Sequence, residues 1–367
     1  MKLDQIFKRG KESSILTIKD GAANFIVSLI LMFIFQFIVT IVLMITNVDY
    51  NSFVGTVAYS CIVCFINEMA FLVTPLSYSK VVNAHFVKDI KFKKGVSLLQ
   101  VILLIAIAIF TLVFSSPIAN YFVKFILWTG FDISKLSLLS IKTGEELIAA
   151  LVFIALIPSI CEEILYRGII ARSFKSKNVI FAIFMSAFFF AIMHGTPIQL
   201  VHQFVIGVVC CVVYFITKSI YAPIIVHFSN NALTLIGGYV EYKMGAEGIV
   251  DDWIMIIMII VGAIALPFFV YLLYKKSTKV QYDKLKSFKE NIEDICKFDY
   301  ELEQEEKDRL AQDELMAKME SAEMAEVLKQ EMKTRSSKSG LIGRRALIYA
   351  IILGMAIWII QTLMCYI

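Results

Sequence analysis

Residues 146–167 read ELIAALVFIALIPSICEEILYR. Most of this stretch is apolar, and about 20 such residues at 1.5 Å each cover the roughly 30 Å hydrocarbon core of a bilayer. It closes, however, on Glu162, Glu163 and Arg167. An ionisable side chain at the centre of a membrane helix costs roughly 2.5–3.5 kcal/mol, so its presence marks a functional site by default. The spacing i, i+4 puts Glu163 and Arg167 on one helical face as an ion pair. Glu162 projects about 100° away with Tyr166 as its i+4 neighbour, and is left without a counter-charge in a low-dielectric setting, where a carboxylate can serve as a general base. Pro158 lies four residues before Glu162. It lacks an amide and frees the carbonyl of Ile154, so a kink or widened turn is expected beside the site.

Outward from this stretch the chain has the same character. Its 367 residues are 59% hydrophobic and 18% charged, with a mean hydropathy of +0.76. A soluble chain carries roughly 25% charge and 45–50% apolar residues, so a soluble fold, a secreted disulfide framework and a nucleic-acid binder are all excluded. The charges are uneven too: residues 275–345 hold 16 bases and 16 acids. The net charge of +4 carries no nucleic-acid signal, because the basic residues flank apolar runs. The seven cysteines (61, 64, 161, 210, 211, 296, 365) show no metal-type spacing and read as reduced packing residues.

Apolar runs fall near 22–46, 53–77, 96–115, 146–167, 179–194, 199–217, 220–238, 252–274 and 346–367. The expected fold is an all-α, polytopic membrane helical bundle of about eight core spans plus one C-terminal span. The first run is too long for a signal peptide and stays in the protein. With the N-terminus in the cytoplasm, the inner connections hold 30 Lys and Arg and the outer ones hold Lys124, Lys135, Lys142 and Lys243. The positive-inside rule then predicts a multi-pass cell-membrane protein with its N-terminus inside and its C-terminus outside. Three regions follow: 1–274 holding the eight spans, with its motif core at 145–240; a charged segment at 275–343; and a last span at 344–367. In the charged segment Leu302, Leu310, Leu315, Met319, Met324 and Leu328 recur at helical spacing, which predicts a cytoplasmic helix or helical hairpin able to recruit a protein partner.

Two further patterns accompany the first. Phe190 and His194 form FxxxH at the end of the fifth run, and His227 and Asn231 form HxxxN on the seventh. In the latter, i, i+4 spacing places an imidazole and a carboxamide on one face, both able to donate hydrogen bonds to a developing oxyanion. A single intramembrane histidine usually bridges two helices, and Glu145-Glu146 at the head of the fourth run reads as interfacial. Three such patterns in order on three membrane helices carry far more weight than any one alone. Glu68 beside Asn67 is read as an interhelical hydrogen bond, and His85 and His202 as bystanders.

The combination of EExxxR at Glu162–Arg167, FxxxH at Phe190–His194 and HxxxN at His227–Asn231 resembles the CPBP family, the CAAX proteases and bacteriocin-processing enzymes also called Abi. The resemblance covers about residues 145–240 and implies an intramembrane endopeptidase acting on a membrane-associated peptide or protein within the lipid bilayer. Carried over, it implies that Glu162 and His194 activate the attacking water, that His227 and Asn231 stabilise the oxyanion, and that Glu163, Arg167 and Phe190 support the site. The family is often labelled a metalloprotease. Glu162, His194 and His227 could hold zinc with water in an open position. The HExxH spacing is absent, though, and Asn231 suits an oxyanion hole better, so a mechanism without a cofactor is favoured.

Two other readings compete. A proton-coupled transporter would also use intramembrane Glu and His, but the sequence lacks the inverted repeat and matched broken helices of such folds. A non-catalytic scaffold, regulating a sensor or conferring bacteriocin immunity, would have no need of the full polar set. Depth counting leaves one difficulty. It puts His194 near the outer end of its span and about 10 Å or more from the level of Glu162 and His227.

Overall fold

Thr17 opens the first helix with a reciprocal cap: its backbone amide and hydroxyl donate to Asp20 Oδ2 at 2.6 and 2.8 Å. The Tyr78 hydroxyl donates to the other Asp20 oxygen, so one side chain ends one helix and ties it to the next. The computed structural model describes residues 16–46, 48, 53–81, 95–136, 139–245, 250–278, 283, 286–297, 310, 322–364 and 366, with backbone alone at 79–81, 135 and 322–341. The expectations for His85, Leu302, Leu315, Met319 and Cys365 lie outside these residues, as do the side chains of Met324 and Leu328.

The described residues form a wholly helical bundle. In order these are α1 (Ile18–Ile45), α2 (Val57–Val81), α3 (Leu98–Trp128), α4 (Gly144–Lys175), α5 (Val179–Met193), α6 (Pro197–Thr217), α7 (Tyr221–Met244), α8 (Asp252–Ser277), α9 (Phe288–Cys296) and α10 (Ala322–Leu363). Seven are long and apolar enough to cross a membrane: α1, α2, α3, α4, α6, α8 and the Ile342–Leu363 part of α10. Their outer faces carry large apolar side chains, among them Phe37, Trp128 and Ile264, at 66, 81 and 69% exposure. Only lipid satisfies such a surface, and the protein is a multi-pass membrane protein.

Each expected run meets a helix, with three corrections. Helix α5 has 15 residues, about 22 Å and short of the bilayer core. Helix α7 is long enough, but His227, Asn230, Asn231, Glu241 and Lys243 dilute its apolar character. Helix α3 also runs well past its expected end at 115, through a buried Pro117.

Close backbone approaches hold the bundle together. An added Cβ at Gly262 of α8 would lie 2.7 Å from Phe114 Cα of α3, and one at Gly207 of α6 would lie 2.9 Å from Ala187 Cα of α5. At one end of the bundle Gln100 Nε2 donates to Ser277 Oγ at 2.9 Å, and Gly343 packs beside Ile18. At the other end Lys124 pairs with Asp252 at 3.1 Å, and Thr129 and Tyr366 share a hydrogen bond of 2.8 Å. The first span therefore starts, and the last span ends, at opposite ends of the bundle.

The interior of α4 is not regular. Leu151–Leu156 and Tyr166–Ala171 are π-helical turns that bracket an α-helical stretch, Ile157–Leu165. The first ends two residues before Pro158, whose missing amide leaves the carbonyl of Ile154 free within that turn, and it realises the widened turn expected from the sequence. The second begins at Tyr166, three residues after Glu163. Glu162 and Glu163 thus sit on one short α-helical piece between two local unwindings, a common placement for π-turns at functional sites.

Candidate active site

Glu163 and Arg167 are both fully buried and pair as the i, i+4 spacing predicts, Arg167 Nη1 donating to Glu163 Oε1 at 2.7 Å. The guanidinium also donates through Nη2 to the carbonyl of Gly207 at 2.9 Å. Only a glycine lets α6 approach α5 closely there. One carboxylate oxygen serves two partners, for His227 Nδ1 lies 2.9 Å from the same Glu163 Oε1. A carboxylate accepts, so Nδ1 donates to Glu163, and Nε2 is the nitrogen turned towards Glu162. That nitrogen stands 3.7 Å from Glu162 Oε2. Glu163 therefore both neutralises Arg167 and fixes the ring of His227 towards Glu162, a second task that the sequence did not reveal.

The histidine of FxxxH is held in the same way. His194 Nδ1 lies 2.8 Å from the carbonyl of Phe190; a carbonyl only accepts, so Nδ1 donates and Nε2 is free. His194 caps the short helix α5, and Gly195 at φ +68° turns the chain into α6. That left-handed conformation favours glycine. The depth difficulty dissolves here: the rings of His194 and His227 lie 5.0 and 5.5 Å from the same Phe190 ring, so His194 stays beside the other motifs.

Phe190 is the hub that joins them. Its ring centroid lies 5.2 Å from that of Tyr166, 5.0 Å from His194 and 5.5 Å from His227, all edge to face. The guanidinium carbon of Arg167 sits 4.8 Å over the same ring. One aromatic side chain thus touches all three motifs.

Asn231, one turn beyond His227 on α7, is half-buried, and its Oδ1 lies 3.4 Å from Asn230 Nδ2. Glu162 and His227 are buried, while His194 and Asn231 are the more accessible members. Among the described residues no three His, Cys, Asp or Glu side chains are placed to share a metal ion. Glu162, His194 and His227 do not fit the zinc ligand set in this arrangement, and no step below runs through a metal. The six described cysteines are free.

Two residues gain partners that the sequence left unnamed. Glu68 of α2 comes within hydrogen-bonding reach of Glu162 of α4. The contact joins two helices, and the partner is the first carboxylate of EExxxR. His202 is bonded on both ring nitrogens, to Ser115 and to Asn230. In each case the partners are remote in sequence, so no local spacing signals the contact; the general cost of an intramembrane Glu or His was the available clue.

The bundle thus gathers carboxylates, imidazoles and a carboxamide from three helices around the ring of Phe190. Residues 144–233, spanning α4 to the first half of α7, match the family model of Rce1-like type II CAAX prenyl endopeptidases. That match covers about a quarter of the chain and is consistent with the CPBP intramembrane proteases. No curated protein and no solved structure matches the chain. At the level of the family, the match supports a CAAX-type intramembrane protease whose substrate is a membrane-embedded peptide or protein.

Proposed function

We propose that the protein is an intramembrane endopeptidase in which Glu162 and His194 activate the attacking water and His227 and Asn231 hold the oxyanion. The observation that carries this reading is the division of labour between adjacent glutamates: Glu163 is spent on Arg167 and His227, while Glu162 Oε2 has no hydrogen-bond donor and faces Nε2 of His227.

Glu162 takes a proton from water, which His194 orients through Nε2, as the oxygen attacks the scissile carbonyl carbon. The tetrahedral oxyanion accepts a hydrogen bond from Asn231 Nδ2. His227 stands beside Glu162 through its Nε2. It becomes a second donor once the abstracted proton reaches its Nε2 from Glu162, and Glu163 on Nδ1 stabilises the imidazolium so formed. Collapse breaks the C–N bond, and that proton passes to the leaving amine. By the Lys and Arg distribution the N-terminus is cytoplasmic and the C-terminus outside.

The test is turnover of a membrane-peptide substrate by detergent-solubilised protein. Glu162→Gln abolishes cleavage and leaves the thermal midpoint near that of the wild type. Substantial turnover by Glu162→Gln would remove it as the base. No turnover by the wild type on peptides whose termini change in membranes of a Glu162→Ala strain would favour a non-catalytic scaffold.

A further inference from the structure

Outside the groups assigned above, one buried polar chain runs from α3 through α6 to α7. Ser115 Oγ donates to the carbonyl of Thr111 at 2.7 Å. The hydroxyl proton is therefore committed, and towards His202 Nδ1, 2.8 Å away, Ser115 acts only as an acceptor. His202 must carry its proton on Nδ1, which leaves Nε2 of the neutral ring as an acceptor. The amide nitrogen of Asn230, a residue 1% exposed, lies 3.1 Å from that Nε2. Its first hydrogen goes to the imidazole and its second to Asn231 Oδ1 at 3.4 Å. Each link fixes the sense of the next. With its oxygen held by Asn230, Asn231 turns its own NH2 group away from the chain.

We propose that His202 and Asn230 are positioning residues whose hydrogen-bond relay from Ser115 orients the Asn231 amide for oxyanion binding. The inference rests on the oxyanion role proposed for Asn231. An asparagine free to flip would present oxygen instead of NH2 half of the time and repel the developing charge. Preorganisation of such a donor is the larger part of its catalytic value.

The test compares kcat, KM and thermal midpoint for His202→Leu, His202→Gln, Asn231→Ala and the double variant His202→Leu/Asn231→Ala. His202→Leu lowers kcat about 10- to 100-fold, the usual cost of losing an orienting partner, with KM unchanged. His202→Gln recovers most of it, because a carboxamide can donate to Ser115 and accept from Asn230 as the ring does. On the Asn231→Ala background His202→Leu adds no further loss, since nothing remains to be oriented. If Asn231→Ala loses kcat but His202→Leu does not, or if the two losses multiply, the relay is overturned. Equal loss in the Leu and Gln variants together with a lowered thermal midpoint would reduce His202 to a packing role. Full turnover by Asn231→Ala would sink the oxyanion reading itself, and the relay with it.

Discussion

A single oxygen, Glu163 Oε1, receives both Arg167 and His227 at hydrogen-bond distance, so truncating Glu163 strands a fully buried guanidinium. Breaking a buried pair from one side costs about 3–5 kcal/mol. Glu163→Ala is therefore expected to depress the thermal midpoint and yield in detergent, in contrast to Glu162→Gln; equal midpoints for the two variants would refute the division between them. Phe190 faces a similar test, because its ring touches Tyr166, Arg167, His194 and His227. Phe190→Ala should cost about 3–5 kcal/mol, and Phe190→Leu should retain more stability yet still lose turnover as the two imidazoles lose their common platform. Turnover of Phe190→Leu at the wild-type rate would show the ring to be filler. The donor geometry bears on metal as well. Activity should survive prolonged treatment with a strong chelator, and stoichiometric zinc leaving in step with activity would make His194 and His227 ligands instead.

At the scale of the helix, the contact of α5 with α6 decides whether Arg167 keeps its carbonyl partner. Gly207→Ala would place a Cβ 2.9 Å from the Ala187 backbone, and overpacking of this kind costs about 1–3 kcal/mol. The separation it forces also moves the Gly207 carbonyl, so both thermal midpoint and turnover should fall. Gly238→Ala on α7 has nothing within 4 Å and should be neutral or stabilising by about 0.5–1 kcal/mol. Similar behaviour of the two variants would show that the close approach does not matter. Helices were the most legible feature of the sequence, since apolar length alone locates them, and Pro158 foretold the π-turn before the EExxxR stretch. Helix ends were not. Hydropathy counting makes every run cross the membrane, so the short α5 put His194 at the wrong depth, and the run expected to end at 115 missed the continuation of α3 to Trp128. The local motifs were legible as i, i+4 spacings. Glu68 facing Glu162, Glu163 holding His227 and the relay through His202 were not, because each joins helices far apart in the chain.

For the whole molecule, the question is whether the last span belongs to the bundle that carries the site. By sequence, residues 344–367 stand apart from 1–274, and the three motifs are complete long before them. The packing ties them in. Ala350 is fully buried, and Gly354 of α10 lets the helix settle against Phe25 of α1 and Ile192 of α5. Phe25 in turn stacks on Phe189, its ring centroid 4.2 Å away and next in sequence to Phe190. Near the far end the Gln361 side chain lies against Gly195, the residue after His194, and Tyr366 packs edge to face on Phe131. A chain ending at Lys276 would therefore expose Phe25 and Ile192 and remove the side chain that covers the turn beside His194. It is expected to insert, since its other spans are intact, but to show a lower thermal midpoint, poorer monodispersity in detergent and reduced turnover. Supplying residues 322–367 as a separate peptide in the same micelles should restore part of the turnover, because the interface is one of packed apolar faces and needs no covalent link. Truncated protein that is monodisperse and cleaves at the full-length rate would show that the last helix is an appendage, and that the catalytic unit ends with α8.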